Sequence, residues 1–149
     1  MSAQEELDKQ KASVRRVVEE IYNQGKLEVI DQLFSPKCTF HDPVGDVVKP
    51  RSSHDLQGFK DDVVAIRTAL PDVHYEIDGL VAENNEVVTR WTAQGTHSGT
   101  ALAVAATNKK VTITGMTACK FDQGRIVDHF TQSDTLAVMA KVGIPVAAA

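Results

Sequence analysis

Hydrophobic residues in the first half of the chain recur at helical spacing. The pattern predicts a first helix that ends at Asn23-Gln24-Gly25, where the glycine provides a C-terminal cap. The apolar face of this helix is formed by Leu7, Val14, Val17, Val18 and Ile21. A short second helix stops at Ser35-Pro36, and a third begins at the capping residue Asp55 and ends at Pro71-Asp72. The stretch 43–53, with two prolines, is predicted to be a loop.

After Asp72 the hydrophobic period changes to two, which is typical of strands. Turns are expected at Asn84-Asn85 and at Asp122-Gln123-Gly124. The predicted strands are a short one at Cys38–Asp42, one beginning at Val73, and the longer Glu86–His97, Val111–Phe121 and Arg125–Thr131. A last helix, Leu136–Lys141, is capped by Ser133 or Asp134 and closed by Gly143 and Pro145.

Helices followed by a run of strands indicate an α+β fold in a single domain, residues 1–149. We expect a curved antiparallel sheet that forms a cone, with the three N-terminal helices across its mouth and the short C-terminal helix beside it. A cone of this kind encloses a cavity, and such cavities hold small molecules.

Composition narrows the functional classes. The chain has 149 residues, of which 42% are hydrophobic, and its 16 Lys and Arg against 20 Asp and Glu give a formal charge of -4. This balance disfavours nucleic acid and anionic membranes as partners, and no stretch reaches the apolar length of a membrane span. The polar N-terminus does not resemble a secretory signal, so we expect a cytoplasmic protein. Cys38 and Cys119 are then expected to be buried thiols, although a disulfide stays open.

Motifs for metals, nucleotides and nucleophilic catalysis are absent from the sequence. It contains no GxGxxG, no phosphate loop, no HExxH, no paired CxxC and no GxSxG. We therefore expect neither a cofactor nor a metal.

The histidines are the candidate acid–base groups, because their side chains change charge near neutral pH. His54 and His74 occupy polar positions and are expected at the surface, whereas His41, His97 and His129 lie in strands or at strand ends.

Strand alternation places His129 on the same face as Thr131. The matching face of the preceding strand carries Val111, Ile113, Gly115, Thr117, Cys119 and Phe121. Because this face is the more apolar one, it should face the helices and bring His129 into a chamber with Thr117 and Thr131. The alternative is a core histidine that bonds a neighbouring hydroxyl.

Other residues have both a structural and a functional interpretation. His41 could enter the pocket mouth beside Asp42 only if Pro43 bends the chain, since adjacent strand residues point to opposite faces. Asp134 is expected to cap the last helix. Trp91 is expected in the core and as a platform for a hydrophobic ligand. The pocket residues expected are Trp91, Thr117, Thr131, Gly115, Ile113 and Phe40.

The opposite face of the sheet mixes Met116 and Phe130 with Arg90 and Thr92. Apolar residues on an open sheet face favour a homodimer interface there.

Three segments resemble the SnoaL-like polyketide cyclases, or ester-cyclase group: VRRVVEEIYNQGKLEVIDQLFSPKCTFHDP, RWTAQGTHSG and FDQGRIVDHFTQSDTLAVMAKVG. The resemblance spans about Val14 to Pro145. It implies the cone-shaped α+β fold of ketosteroid isomerase, scytalone dehydratase and nuclear transport factor two, with a deep apolar pocket and commonly a homodimer.

The resemblance also exposes two departures at the expected catalytic positions. In the aromatic polyketide cyclases an aspartate on the last strand is the general acid and base, and that position corresponds to Thr131 here. A pocket histidine of the family corresponds to Thr117. The family's GxPPTG connection corresponds to Val104–Asn108, which lacks the prolines and the final glycine.

Two functional hypotheses follow. The first is a cofactor-independent enzyme for cyclisation, isomerisation, dehydration or epoxide opening of a hydrophobic, natural-product-like molecule. His129 or His41 would move the proton, and Thr117 and Thr131 would donate hydrogen bonds to a developing oxyanion. The second is a non-catalytic protein that binds a small molecule or serves in assembly. An epoxide hydrolase is disfavoured because two carboxylates cannot be placed on the inner face.

Overall fold

A computed structural model describes residues 1–43, 54–100 and 104–143. The helices within these ranges are α1 (Ala3–Arg16), which continues into a π-helical segment (Val17–Tyr22), α2 (Glu28–Leu33), α3 (Leu56–Ala69) and α4 (Thr135–Val142). The strands are β1 (Phe34–His41), β2 (His74–Glu83), β3 (Glu86–Thr96), β4 (Lys110–Asp122) and β5 (Arg125–Ser133). Residues 44–53 of the predicted loop and Pro145 lie outside the described ranges.

The five strands form one sheet in the order β1-β5-β4-β3-β2, and the α+β class is confirmed. One detail differs from the expectation of an antiparallel sheet, because β1 pairs with β5 in parallel. These two strands are far apart in sequence and no hairpin joins them, so local turn chemistry does not fix their relative direction. The other three pairings are antiparallel.

Curvature of the sheet has a local cause. The register shifts between Ile77 and Gly79 on β2 and between Lys120 and Phe121 on β4. Such bulges bend a strand and increase its twist, so they curve the sheet around the helices. The two groups of buried hydrophobic residues pack between the concave face and the helices.

The first strand begins earlier than predicted, at Phe34, so the Ser35-Pro36 pair, which was expected to end the second helix, lies inside β1. Proline lacks the N–H that a central strand needs, but an edge strand tolerates it. Because β1 is the edge of the sheet, the proline ends α2 without preventing the strand.

The first helix starts at a capping box between Ser2 and Glu5. After Arg16 it widens into π geometry, in which the Asn23 N–H donates to the Val18 carbonyl at 3.0 Å. This segment buries Val17, Val18 and Ile21 together. Helical spacing predicts the buried residues correctly but contains no signal for the π geometry.

The capping role expected of Asp134 is not what its side chain does. Asp134 stands at the N-cap position of α4, but its carboxylate accepts hydrogen bonds from the Thr114 N–H at 2.8 Å and the Thr114 hydroxyl at 2.9 Å. The side chain therefore ties the start of α4 to β4. Across the described ranges, the helices are too short or too polar to cross a membrane.

Candidate active site

A cavity of about 270 Å³ lies between the concave face of the sheet and the helices. This is just below the volumes typical of small-molecule sites, about 300–1,000 Å³. Its lining is mainly apolar, and the expected pocket residues that contribute to it are Phe40, Trp91, Ile113, Thr117 and Thr131. The cavity therefore suits a compact hydrophobic molecule.

Gly115 does not line this cavity, which corrects its expected place in the pocket. It lies opposite Trp91 in the pairing of β3 with β4. A Cβ at this position would stand 2.5 Å from Trp91 Cζ2 and 2.7 Å from the Gln132 carbonyl oxygen. The glycine therefore makes room for the indole, and Trp91 is the residue that reaches the cavity.

A row of threonines crosses the three central strands. Thr89 on β3 pairs with Thr117 on β4, which pairs with Thr131 on β5. The Trp91 indole N–H donates to Thr117 Oγ1 at 3.0 Å, and the Thr117 and Thr131 hydroxyl oxygens are 3.1 Å apart. Thr89 Oγ1 is buried without a partner among the described residues. The row offers hydroxyl donors to a ligand in an otherwise apolar wall.

His129 lines the cavity and is only 5% exposed. Strand alternation sets its direction, since it shares a face with Thr131 and pairs with Cys119 on β4 and Phe40 on β1. Its ring lies 5.2 to 5.9 Å, between centroids, from the rings of Phe34, Phe40 and Phe59. The imidazole therefore sits among aromatic side chains, two residues from the threonine row.

His41 has a different environment. His41 is one of the residues that line the cavity, but its side chain is 46% exposed. Its Nε2 pairs with Asp128 Oδ1 at 2.8 Å. The ring also packs near Phe130 on the outer face, with centroids 6.0 Å apart. Its imidazole is thus engaged on the exposed side, whereas its neighbour Asp42 lines the cavity.

His97 is the third strand-end histidine, and it is 2% exposed. It lines the same cavity from the residue that follows β3. Its Nδ1 lies 3.0 Å from Thr107 Oγ1 and accepts the Thr107 backbone N–H at 3.4 Å. Its Nε2 is buried with no partner among the described residues.

Two tyrosines and two carboxylates that sequence reasoning missed also line the cavity: Tyr22, Tyr75, Asp42 and Asp62. The tyrosine rings are 4.6 Å apart between centroids. Burial raises the pKa of both phenols, and the nearby Asp42 carboxylate raises each pKa further. Both tyrosines therefore stay protonated as hydroxyl donors. The cavity lining does include two carboxylates, from Asp42 after β1 and Asp62 on α3, which were not expected there from the sequence.

The cysteines are free thiols, as expected, rather than a disulfide. Burial raises the pKa of Cys38 to about 12 and that of Cys119 higher still, so neither is a nucleophile near neutral pH. In the part of the chain that the structure describes, His, Cys, Asp and Glu side chains form no cluster suited to a metal ion.

Comparison with known proteins places this architecture in a family. The model of the SnoaL-like polyketide cyclases matches residues 12–142. The chain belongs to this family. Proteins with curated descriptions gave no significant match.

Solved structures agree with membership in the SnoaL-like family. A candidate polyketide cyclase from Acidithiobacillus ferrooxidans is 31% identical, with a TM-score of 0.77 over 96% of this chain and 98% of that one. IdmH, a candidate polyketide cyclase from Streptomyces antibioticus, is 28% identical, with a TM-score of 0.75 over 91% and 99%. A SnoaL-like candidate cyclase from Jannaschia sp. CCS1 is 17% identical at a TM-score of 0.81 over 97% and 99%, and supports the fold alone.

Thr131 and Thr117 are the two positions at which the family resemblance indicates threonine in place of the cyclase aspartate and histidine. In the structure their hydroxyl groups bond each other, and Thr117 also accepts the Trp91 N–H. A threonine hydroxyl is not a base near neutral pH, so this pair can donate hydrogen bonds but cannot remove a proton unaided. Any base must come from another cavity residue.

Proposed function

We propose that this chain is a cofactor-free acid–base enzyme of the cyclase or isomerase type, acting on a hydrophobic small molecule. The observation that carries the proposal is His129, a buried imidazole that lines an apolar cavity beside a row of hydroxyl donors. Membership in the SnoaL-like polyketide cyclases supports the reaction class.

The base in this proposal is His129 in its neutral form. A ring nitrogen takes the proton from the carbon next to a substrate carbonyl, and the carbonyl becomes an enolate. The imidazolium then returns that proton to another carbon in an isomerisation. In a ring closure, the enolate carbon attacks a second carbonyl and the resulting alkoxide takes the proton. Either sequence leaves the protein unchanged and needs no cofactor.

The hydroxyl pair of Thr117 and Thr131 stabilises the enolate oxygen. The Trp91 N–H donates to Thr117 at 3.0 Å and so fixes its orientation. Donors held in place before the reaction stabilise a developing oxyanion most in a site that excludes water. One hydroxyl proton is used in the bond between the two threonines, so the other is the donor to the oxyanion. His129 takes the proton-transfer role that the aspartate has in the aromatic polyketide cyclases.

His129 is a better base than His41 on geometric grounds. The His41 side chain is nearly half exposed and reaches Asp128 on the outer side of the sheet, whereas His129 is buried and lines the cavity. His41 therefore serves as the matched control for a histidine substitution in this part of the fold.

The proposal is tested with 2-tetralone, a compact bicyclic ketone whose α-hydrogens exchange with solvent. Purified protein in D2O should accelerate that exchange above the buffer rate, as followed by proton NMR. His129→Gln should reduce the acceleration by about 100-fold or more, the usual contribution of a positioned acid or base. His41→Gln should leave it within about threefold of wild type, because this ring serves no proton transfer in the mechanism.

Equal exchange by wild type and His129→Gln would remove His129 from the mechanism. Binding of 2-tetralone without any acceleration of exchange by the wild type would favour the second hypothesis, a non-catalytic binding protein. Thermal unfolding of each variant, followed by circular dichroism, establishes that the comparison is made between folded proteins.

We also propose a homodimer through the outer face of the sheet. Val81, Met116 and Phe130 project there and are 66%, 50% and 38% exposed. Large apolar side chains exposed together on one face favour association.

A further inference from the structure

His97 and His129 lie at opposite ends of the inner face of the sheet. His129 is in register with Cys119 and Val87, and the inward row of β3 continues from Val87 through Thr89 and Trp91. His97 lies ten residues beyond Val87, past the far end of that strand. Both histidines line the cavity, and between them its wall consists of the threonine row and then apolar side chains such as Trp91 and Ile113.

The contacts of His97 define which ring nitrogen carries its proton. The Thr107 backbone N–H can only donate, so Nδ1 acts as the acceptor. The Thr107 hydroxyl can donate to the same nitrogen while its oxygen accepts the Lys109 N–H at 3.3 Å. In a neutral imidazole the proton then resides on Nε2.

The Nε2–H is the unsatisfied group of this arrangement. It lies on the edge of the ring opposite the Thr107 contact, and no described residue accepts its hydrogen bond. Leaving such a buried donor unpaired costs free energy, which a ligand that brings an acceptor recovers. Because His97 lines the cavity, a ligand bound in the cavity can supply this acceptor.

We propose that His97 Nε2–H binds an acceptor oxygen at the end of the substrate remote from His129. This inference rests on the proposed function and adds a substrate class to it. The substrate carries two oxygen functions separated by an apolar ring system, one reacting beside His129 and one held by His97. His97 is a specificity-determining residue and takes no part in proton transfer.

Two isosteric ligands test this assignment: the 6-acetyl and the 6-isopropenyl derivatives of 2-tetralone. Both keep the reacting ketone, and they differ only in a remote carbonyl oxygen that is a CH₂ group in the second compound. Binding is measured by quenching of Trp91, the single tryptophan of the chain, which lines the cavity. Wild type should bind the acetyl compound about three- to tenfold more tightly, as expected for one hydrogen bond.

His97→Leu should abolish this preference while leaving the affinity for the isopropenyl compound within about twofold. His97→Gln keeps an amide donor and should restore part of the preference, which covers the case of an unstable leucine variant. His74→Leu, at an exposed histidine of β2, should behave as wild type. Long-range proton–nitrogen NMR of the free protein should find the His97 proton on Nε2.

Three outcomes would overturn the assignment: an undiminished preference in His97→Leu, no preference in wild type, or a proton on Nδ1. Failure of the proposed function gives a different result. In that case wild type still binds the acetyl compound more tightly than the isopropenyl compound, but the hydrogens next to the ring ketone exchange no faster than in buffer. If neither ligand quenches Trp91, the cavity does not take hydrophobic ketones and both proposals fall.

Discussion

At the scale of single residues, the close packing of Gly115 against Trp91 leaves no room for a side chain behind the cavity wall. The nearest atoms to an added Cβ are two carbons of the indole and the Gln132 carbonyl, all within 2.9 Å. The ring is itself held by its bond to Thr117, so it cannot move without breaking that bond.

Gly115→Ala is therefore expected to lower the free energy of unfolding by about 1–3 kcal/mol, as overpacking usually does. It should also change the Trp91 emission spectrum. Urea unfolding followed by fluorescence measures both. Gly79→Ala is the control, because its Cβ would approach only the mobile end of the Arg90 side chain, at 3.0 Å. An unfolding midpoint for Gly115→Ala equal to that of wild type would contradict this prediction, since it would show that Trp91 can move aside at little cost in stability.

Strand alternation predicts the inward residues well when it is applied consistently. It places His129 and Thr131 on the inner face, and the structure has them there. The same rule puts Asp42 on the face of Phe40 and turns His41 outward, so the signal for Asp42 was present in the sequence. The positions of Tyr75, beside Val73 and Ile77, and of Asp62, three residues after Phe59, were equally available from the periodicity.

At the scale of elements, polar clamps hold the cavity walls in position. Asn23, just after the π-helical segment, accepts the Tyr75 N–H at 2.7 Å and donates to the Tyr75 carbonyl at 3.0 Å. Arg67 of α3 donates to the carbonyls of Tyr22 and Asn23, each at 2.8 Å. These bonds tie the π-helical segment, α3 and the edge strand β2 together around the two cavity tyrosines.

A second clamp is expected to make stability depend on pH. The Asp72 carboxylate accepts the Thr96 N–H at 2.6 Å and the Thr96 hydroxyl at 2.9 Å, which joins the start of β2 to the end of β3. These bonds lower the pKa of Asp72 in the folded state. Because the folded pKa is below the unfolded value of about 3.9, the stabilisation is present above that value. It is lost as the pH falls through the folded pKa.

Asp72→Asn should therefore be less stable than wild type at neutral pH, with a difference that shrinks below about pH 4. Urea unfolding at a series of pH values measures that difference. Glu83→Gln, at an exposed carboxylate of β2, is the control and should show no such pH-dependent difference. A constant gap between wild type and Asp72→Asn from neutral to acid pH would contradict the clamp.

At the scale of the whole molecule, the sequence predicts the order of helices and strands because periods of 3.6 and two are local properties. It does not predict the parallel pairing of β1 with β5, which depends on contacts between Phe34–His41 and Arg125–Ser133. The π geometry of Val17–Tyr22 was also missed, since its buried residues fit an α-helix equally well. The family resemblance supplied the fold, whereas the position of each cavity side chain required the three-dimensional structure.

The proposed dimer is also a property of the whole molecule. Met116→Glu places a charge at the centre of the exposed apolar side chains of the outer face, so it should convert a dimer into a monomer in sedimentation velocity. Val64→Glu, at a 50% exposed position of α3, should leave the dimer intact. A wild-type monomer at micromolar concentrations, or a dimeric Met116→Glu variant, would refute this interface.

The central claim is that the cavity beneath the helices is the place where a hydrophobic ketone meets His129. A crystal structure of the protein with 2-tetralone at neutral pH tests it most directly. We expect the bicyclic ring against Trp91, the carbonyl oxygen within hydrogen-bond distance of Thr131 or Thr117, and a His129 nitrogen about 3–3.5 Å from an α-carbon. A ligand found only outside the cavity, or one bound inside it with His129 out of reach of both α-carbons, would contradict the account.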